Sequence, residues 1–214
     1  NMSHEIRTPM TAIVGFADLL SREDLDRQHQ AQWRNQLTQN ARYLQDLIGN
    51  VLDMSAVEVG EVSLNFEPVS LLETVAEAVD TLRARADTKK LRLETAAEGL
   101  LPDAIITDRV RFKEIVVNLV SNAVKYTEQG GVTVTLSTER RGTDVLLSLV
   151  VSDTGIGIDP VQLNNLFKPF NRVHDTHQMA GIEGTGLGLA ITRKLARMMG
   201  VGFWALGYEG AGFW

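Results

Sequence analysis

The sequence predicts an α+β protein, a helical hairpin that pairs into a four-helix-bundle dimer and is followed by an α/β sandwich with a mixed sheet. Three observations predict it. Apolar residues recur at spacings of three and four from Ile6 to Ser55, the signature of helices with one buried seam. Beyond Gly60 the rhythm changes to strand-like runs with helical stretches between them. Two of those runs flank Gly142 to Asp144, which reads as a hairpin turn and requires antiparallel pairing.

The first helix carries Ile6, Met10, Ile13, Ala17 and Leu20. After a polar break from Ser21 to Gln30, the spacing returns in Leu37, Ala41, Leu44, Ile48, Val51 and Ser55, with Leu47, Leu52 and Met54 widening the stripe. Two helices joined by a short polar loop form an antiparallel hairpin. A hairpin of under about 60 residues buries too little alone, so its wide stripe asks for a second copy. The boundary falls near Val57 to Glu61, giving a hairpin over residues 1–58 and a sandwich over 59–214. In the sandwich, Val62, Leu64 and Phe66 alternate like a strand, and Leu71 to Lys89 reads as a helix. Strands are expected at Leu91–Thr95, Ala104–Thr107, Val132–Thr138 and Val145–Val151. A helix from Arg109 to Tyr126 is opened by Asp108 as N-cap.

Composition narrows the function classes. A formal net charge of −6 over 214 residues provides no clustered cationic surface for phosphate backbones, so no nucleic-acid partner is expected. With no cysteine there is neither a disulfide framework nor a thiolate metal site. No run approaches the roughly 18 apolar residues of a membrane span, which fits a cytoplasmic location for the chain as given. It opens with what reads as mid-helix sequence, which suggests a fragment of a longer protein.

Candidate chemistry gathers in two places. His4 lies about 160° around its helix from Ile6, so the imidazole faces solvent when the seam faces inward. Glu5 beside it can accept the second ring proton, Thr8 sits one turn on, and Pro9 removes a backbone donor next to the reactive histidine. In the helix after Asp108, Asn118, Asn122 and Lys125 fall together away from the buried stripe. Asparagine oxygens suit Mg²⁺, and Lys125 can place a charge near a phosphate. Asp153 emerges at a strand end, where Gly155 and Gly157 allow a tight turn and its carboxylate can accept from an amino group. Finally G-T-G-L-G, Gly184 to Gly188, opens a helix whose backbone N–H groups can cradle phosphates. The Lys-Ser or Lys-Thr ending of a P-loop is missing.

The string S-H-E-I-R-T-P from Ser3 to Pro9 resembles the H box of the sensor histidine kinases. N-L-V-S-N-A-V-K-Y-T resembles their N box, V-S-D-T-G-I-G-I their first glycine box, L-F-K-P-F-N-R-V their F box, and G-T-G-L-G-L-A-I their second glycine box. All five run in the family's order across Met2 to Gly200. The resemblance implies a Bergerat-type (GHKL) ATP-binding fold with ATP and Mg²⁺ as cofactors. It implies that His4 is phosphorylated, that Glu5 assists proton removal, and that Thr8 orients the water that removes phosphate from a partner aspartate. Asn118 and Asn122 would serve Mg²⁺ and phosphates, Lys125 phosphate, and Tyr126 and Asp153 the adenine and its exocyclic amine. Phe167, Phe170 and Arg172 belong to the F box, and Phe167 and Phe170 would anchor a lid. Gly155, Gly157, Gly184, Thr185, Gly186, Leu187 and Gly188 complete the nucleotide site.

The partners implied are a second copy of the chain and the receiver domain of a response regulator, with the full-length protein anchored in the inner membrane or fused to sensor domains. His174 and His177 at i, i+3 lack a third ligand and read as part of a polar lid. The last stretch, from Met199, keeps the family's closing strands only loosely. Two other readings stay open at this point, a plain ATPase of the same fold and a nucleotide-free pseudokinase scaffold.

Overall fold

The computed structural model describes residues 2–22, 26–59, 63–141, 144–163, 165–171, 184–206 and 210–213. The hairpin consists of α1 (Met2–Leu20) and α2 (Arg27–Val59). Helix α2 begins at Arg27, ten residues before its apolar spacing shows at Leu37, because Asp26 caps it. The Asp26 carboxylate accepts from the backbone N–H groups of Gln28 and His29, at 2.8 and 2.9 Å, satisfying donors that an uncapped end leaves orphaned. Helix α1 continues through Pro9, which is buried and, lacking an N–H, cannot donate to a carbonyl one turn back.

The second part follows as β1 (Glu67–Val69), α3 (Leu71–Thr88), β2 (Arg92–Glu98), β3 (Ile105–Thr107) and α4 (Arg109–Tyr126). Then come β4 (Gly131–Arg141), β5 (Asp144–Asp153), the short α5 (Pro160–Leu163), α6 (Gly188–Met198), β6 (Phe203–Leu206) and β7 (Gly210–Phe213). The main sheet has the order β2-β4-β5-β7-β6. Strands β2 and β4 pair in parallel and the remaining neighbours are antiparallel, the mixed sheet that the sequence predicts. Strand β7 inserts between β5 and β6, so the loosely patterned C-terminal stretch still supplies two strands. Residues 142 and 143 of the expected turn lie outside the described residues, and Arg141 pairs with Asp144 across it.

The alternation at Val62, Leu64 and Phe66 does not mark a strand in the described part: residues 63–66 are irregular, and the strand is Glu67–Val69. Residue 62 lies outside the described residues. The reason is a competing partner. Strand β3 ends at Thr107, where α4 begins, and the Asn65 N–H donates instead to Asp108 Oδ2 at 2.8 Å. Asp108 is 5% exposed and also accepts from the Arg111 N–H at 2.9 Å as the N-cap of α4. Burial pushes its pKa up, but the backbone donors of Arg111, Asn65 and Val110 together with the Arg111 charge hold the carboxyl below its ordinary value.

Helices α3, α4 and α6 pack on one face of the sheet. They bury Val75, Val79 and Leu82 of α3, Phe112, Ile115, Val116, Leu119 and Val120 of α4, and Ile191 and Leu195 of α6 against Leu93, Val132, Val134, Leu136, Leu149 and Val151. Leu47 of α2 joins this core at 0% exposure, with Ile6, Val51 and Met54 beside it. The wide stripe of α2 is therefore divided, and one part docks on the sandwich rather than on another hairpin. Burying one leucine is worth about 1.5–3 kcal/mol.

Two helix ends show one motif with different residues. At the end of α6, Gly200 (φ 74°) donates to the Arg197 carbonyl and Val201 to that of Ala196. At the end of α3, Lys90 (φ 57°) donates to the Asp87 carbonyl and Leu91 to that of Ala86. Both are Schellman caps, whose left-handed residue is ordinarily glycine. Lys90 carries a Cβ strain of about 1–2 kcal/mol, part of which a glycine would return as unfolded-state entropy. Lys90→Gly is expected to stabilise the fold by about 0.5–1 kcal/mol, raising the melting temperature by about 2 °C; thermal denaturation at neutral pH with no rise would contradict this.

Candidate functional site

The nucleotide-binding candidates meet where the polar face of α4 passes the N-terminus of α6. The buried stripe of α4 is fixed against the sheet and α3, so Asn118, Asn122 and Lys125 turn half-buried toward α6. The backbone opposite approaches these side chains closely. A Cβ at Gly188 would sit 2.5 Å from Asn118 Oδ1, and one at Gly184 would overlap the Lys125 ammonium. The ammonium also lies 4.8 Å from the centroid of the Tyr126 ring. Asn118 Nδ2 donates to Thr192 Oγ1 of α6 at 2.6 Å.

Asp153 reaches the same side through strand register. Leu149, Val151 and Asp153 alternate onto the helix-facing side of β5, and Asp153 pairs with the buried Val132. It is a carboxylate at the end of an apolar row. Its Oδ1 accepts from the Gly155 N–H at 2.8 Å. A Cβ at Gly155 would lie 2.5 Å from the Tyr126 carbonyl, so glycine lets this turn close on the end of α4. Gly157 and Gly186 both take φ 68°, a conformation that disfavours side chains.

The loop 165–171 is pinned to the glycine turn. Phe170, at φ 60°, donates its N–H to the Gly186 carbonyl at 3.1 Å, and a Cβ at Gly186 would press on Phe170 and Asn171 at 3.1 Å. The Arg193 guanidinium lies over the Phe167 ring at 5.1 Å. Thr185 is 9% exposed, and Leu187 is fully buried in the core, so Leu187 offers the site its backbone alone. Arg172, His174 and His177 lie outside the described residues. Among the described residues, no three of His, Cys, Asp and Glu cluster for a metal. Asn118 Oδ1 at the helix N-terminus, with Asn122 one turn on, fits the alternative of a hard cation shared between amide and phosphate oxygens.

On the hairpin, His4 is exposed, Thr8 Oγ1 donates to the His4 carbonyl at 3.1 Å, and Tyr43 of α2 donates to Glu5 Oε2 at 3.2 Å. The two halves touch at the site itself: Asn50 Nδ2 of α2 donates to Thr185 Oγ1 at 3.2 Å. Nearby, the bond from Glu114, with the charges of Glu114, Asp108 and Asp53 of α2, holds the Arg111 guanidinium above its ordinary pKa against the effect of burial.

Residues 1–60 match the His Kinase A (phospho-acceptor) domain, and residues 107–213 match the histidine kinase-, DNA gyrase B- and HSP90-like ATPase family. The chain is 39% identical over 206 residues to histidine protein kinase DivJ of Caulobacter vibrioides, covering 94% of this chain and 33% of DivJ. The chain belongs to the sensor histidine kinases. To the signal transduction histidine-protein kinase BarA of Escherichia coli it is 36% identical, over all of this chain and 23% of BarA. The crystal structure of full-length ShkA in complex with AMPPNP superposes with a TM-score of 0.69 at 28% identity, covering 99% of this chain and 42% of ShkA. This chain thus spans a quarter to a third of the length of these curated kinases. No helix among its described residues is long and apolar enough to cross a membrane.

Several partners of the kinase site were not legible in its motifs. Tyr43, Asn50 and Thr192 come from other elements, although a threonine on the otherwise apolar face of α6 was a visible signal. Lys89 gave no such signal. Its ammonium donates to the carbonyls of Val124, Lys125 and Thr127 at 2.9, 2.8 and 3.1 Å, spending all three protons on the C-terminus of α4. That clasp sits directly behind Lys125 and Tyr126. Lys89→Met is expected to cost about 1 kcal/mol of stability and to weaken ATP binding severalfold, with partial recovery in Lys89→Arg. Titration well below the melting temperature checks this, and unchanged affinity would limit Lys89 to a capping role.

Proposed function

We propose that this chain is the catalytic core of an autophosphorylating kinase that moves the γ-phosphoryl group of ATP to His4 and then to an aspartate of a response-regulator receiver domain. The observation that carries it is the placing of an exposed imidazole on a hairpin whose second helix touches the glycine turn through Asn50 and Thr185. Tyr43, bonded to Glu5, lies seven residues from Asn50, about 10 Å along α2. The acceptor and the phosphate cradle thus share one rod, two turns apart, and in-line transfer requires the sandwich (59–214) to move along the hairpin (1–58).

In the transfer, a neutral His4 nitrogen attacks the γ-phosphorus, a P–N bond forms, and the P–O bond to ADP breaks. Glu5, steadied by Tyr43, takes the other ring proton. Asp153 accepts from the adenine amine, with Tyr126 beside the ring and Phe167 and Phe170 at the mouth of the site. Lys125 and the N–H groups from Gly184 to Gly188 hold phosphate oxygens at the positive end of α6, while Gly155 and Gly157 shape the adenine side. Asn118 and Asn122 would hold Mg²⁺, which neutralises charge building on the phosphates. An asparagine is no base for water, so hydrolysis by the sandwich alone is slow, against the plain ATPase. A nucleotide-free scaffold would have no need of this convergence.

Thr8 spends its proton on the His4 carbonyl, and its lone pairs remain to receive a water attacking the partner's acyl-phosphate. On this reading the same surface also serves as a phosphatase. The full-length protein carries this core beside sensor domains or a membrane anchor, as the small share of DivJ and BarA that it covers supports.

Met10, Val14, Ile48 and Leu52 are 45–64% exposed on the hairpin, in i, i+4 pairs on each helix. A second copy covers them in a four-helix bundle, which is the proposed homodimer. Ile48→Glu would bury an unpaired charge at a cost of several kcal/mol and is expected to give monomers by sedimentation, whereas a wild-type chain monomeric at every concentration would reject the bundle. His4→Gln is expected to abolish labelling by γ-labelled ATP with nucleotide affinity nearly unchanged. The wild-type label should be acid-labile and base-stable, and label persisting in the variant would place the acceptor elsewhere.

A further inference from the structure

Asn118, half-buried, and Thr192, buried, pair across the two helices that build the phosphate end of the site. Thr192 is 2% exposed and its Oγ1 accepts from Asn118 Nδ2 at 2.6 Å. Gly188 lies four residues before Thr192, hence one turn toward the N-terminus on the same face of α6. A Cβ built there would lie 2.5 Å from Asn118 Oδ1 and 3.1 Å from Nδ2. The amide therefore has its nitrogen toward Thr192 and its oxygen toward the glycine-lined end of the helix.

The two ends of an amide are chemically opposite. The oxygen accepts hydrogen bonds and ligates cations, whereas the NH₂ group only donates. An Asn118 flipped by 180° would present N–H to a cation and repel it. A hydroxyl can in principle satisfy either orientation, and here the Thr192 Oγ1 accepts from the Asn118 NH₂ group. The Asn118 oxygen is thereby left to the glycine-lined end. With Thr192 buried and Asn118 half-buried, a flipped amide gives up this bond with little water to replace it.

We propose that Thr192 is a positioning residue, which fixes the Asn118 amide with its oxygen facing the Mg²⁺–phosphate end of the nucleotide. This rests on reading Asn118 as a magnesium ligand. Thr192 touches neither nucleotide nor metal, and its effect is confined to the metal-dependent part of binding.

The test compares ATP affinity in Mg²⁺ with affinity in EDTA, by calorimetry on the whole chain, for wild type, Thr192→Val, Thr192→Ser, Asn118→Ala and the Asn118→Ala/Thr192→Val double variant. Thr192→Val keeps the volume and removes the acceptor. It is expected to cut the gain in affinity from Mg²⁺ about tenfold, as loss of an outer-shell partner does, with metal-free affinity unchanged. Thr192→Ser should restore the gain, and Thr192→Val should add nothing once Asn118 is alanine. An unaltered Mg²⁺ gain in Thr192→Val, an equal loss with and without metal, or a full additional loss in the double variant would each overturn the proposal. If Thr192→Val does not fold, Thr192→Ala removes the same acceptor with less steric demand. A full Mg²⁺ gain in Asn118→Ala would instead reject Asn118 as a ligand, which separates failure of that reading from failure of the role given to Thr192.

Discussion

Helix α4 can bury only one stripe, and the rest of the molecule is arranged around that limit. Phe112, Ile115, Val116, Leu119 and Val120 commit it to the core. Residues at the complementary spacing, Asn118, Asn122 and Lys125, are thereby held at a constant rotation about the helix axis. Asp108 fixes where the helix starts and the ammonium of Lys89 closes its end, so the polar stripe is fixed along the axis as well as around it. Helix α6 is then brought up against that stripe, close enough that a Cβ at Gly184 or Gly188 would press on α4 side chains. The site is a consequence of helix packing more than of any loop.

The same economy governs the hairpin. Its apolar surface exceeds what two helices can cover, and the surplus is divided. Leu47 enters the core of the sandwich, while Ile48 and Leu52 remain outside. Because Asn50 lies on the docked side, the phosphoacceptor rod and the nucleotide loop meet through a side-chain bond between amide and hydroxyl. A contact of this kind is worth about 1 kcal/mol, and one buried leucine adds about 1.5–3. The docking is therefore strong enough to define an arrangement, and the proposed transfer requires that it be exchanged for another.

Much of this was legible beforehand. Both hairpin helices, α3, α4, the strand runs and their mixed pairing follow from periodicity, because burial of one face imposes a period of 3.6 on helices and 2 on strands. The exceptions share a cause. Asp26 started α2 early, Asp108 captured the Asn65 N–H and denied a strand to residues 63–66, and Lys90 took a conformation that glycine prefers. In each case a backbone group found a partner, or a geometry, that side-chain periodicity does not encode.

The sequence by itself determined which chemistry is present: an imidazole on a polar helix face, amides and a lysine on another, a carboxylate at a strand end, and glycines where backbone must approach a ligand. It determined these because each is local, written in a contiguous string read against its own element's period. Only the tertiary structure decided how the groups are oriented. Which end of Asn118 faces α6, which hydroxyl steadies Glu5, what closes α4, and which side of α2 meets the glycine turn all depend on atoms tens of residues apart in the chain. Short-range hydrogen bonds and close packing are sensitive to fractions of an ångström, and such distances are set only when separate elements are pressed into one core.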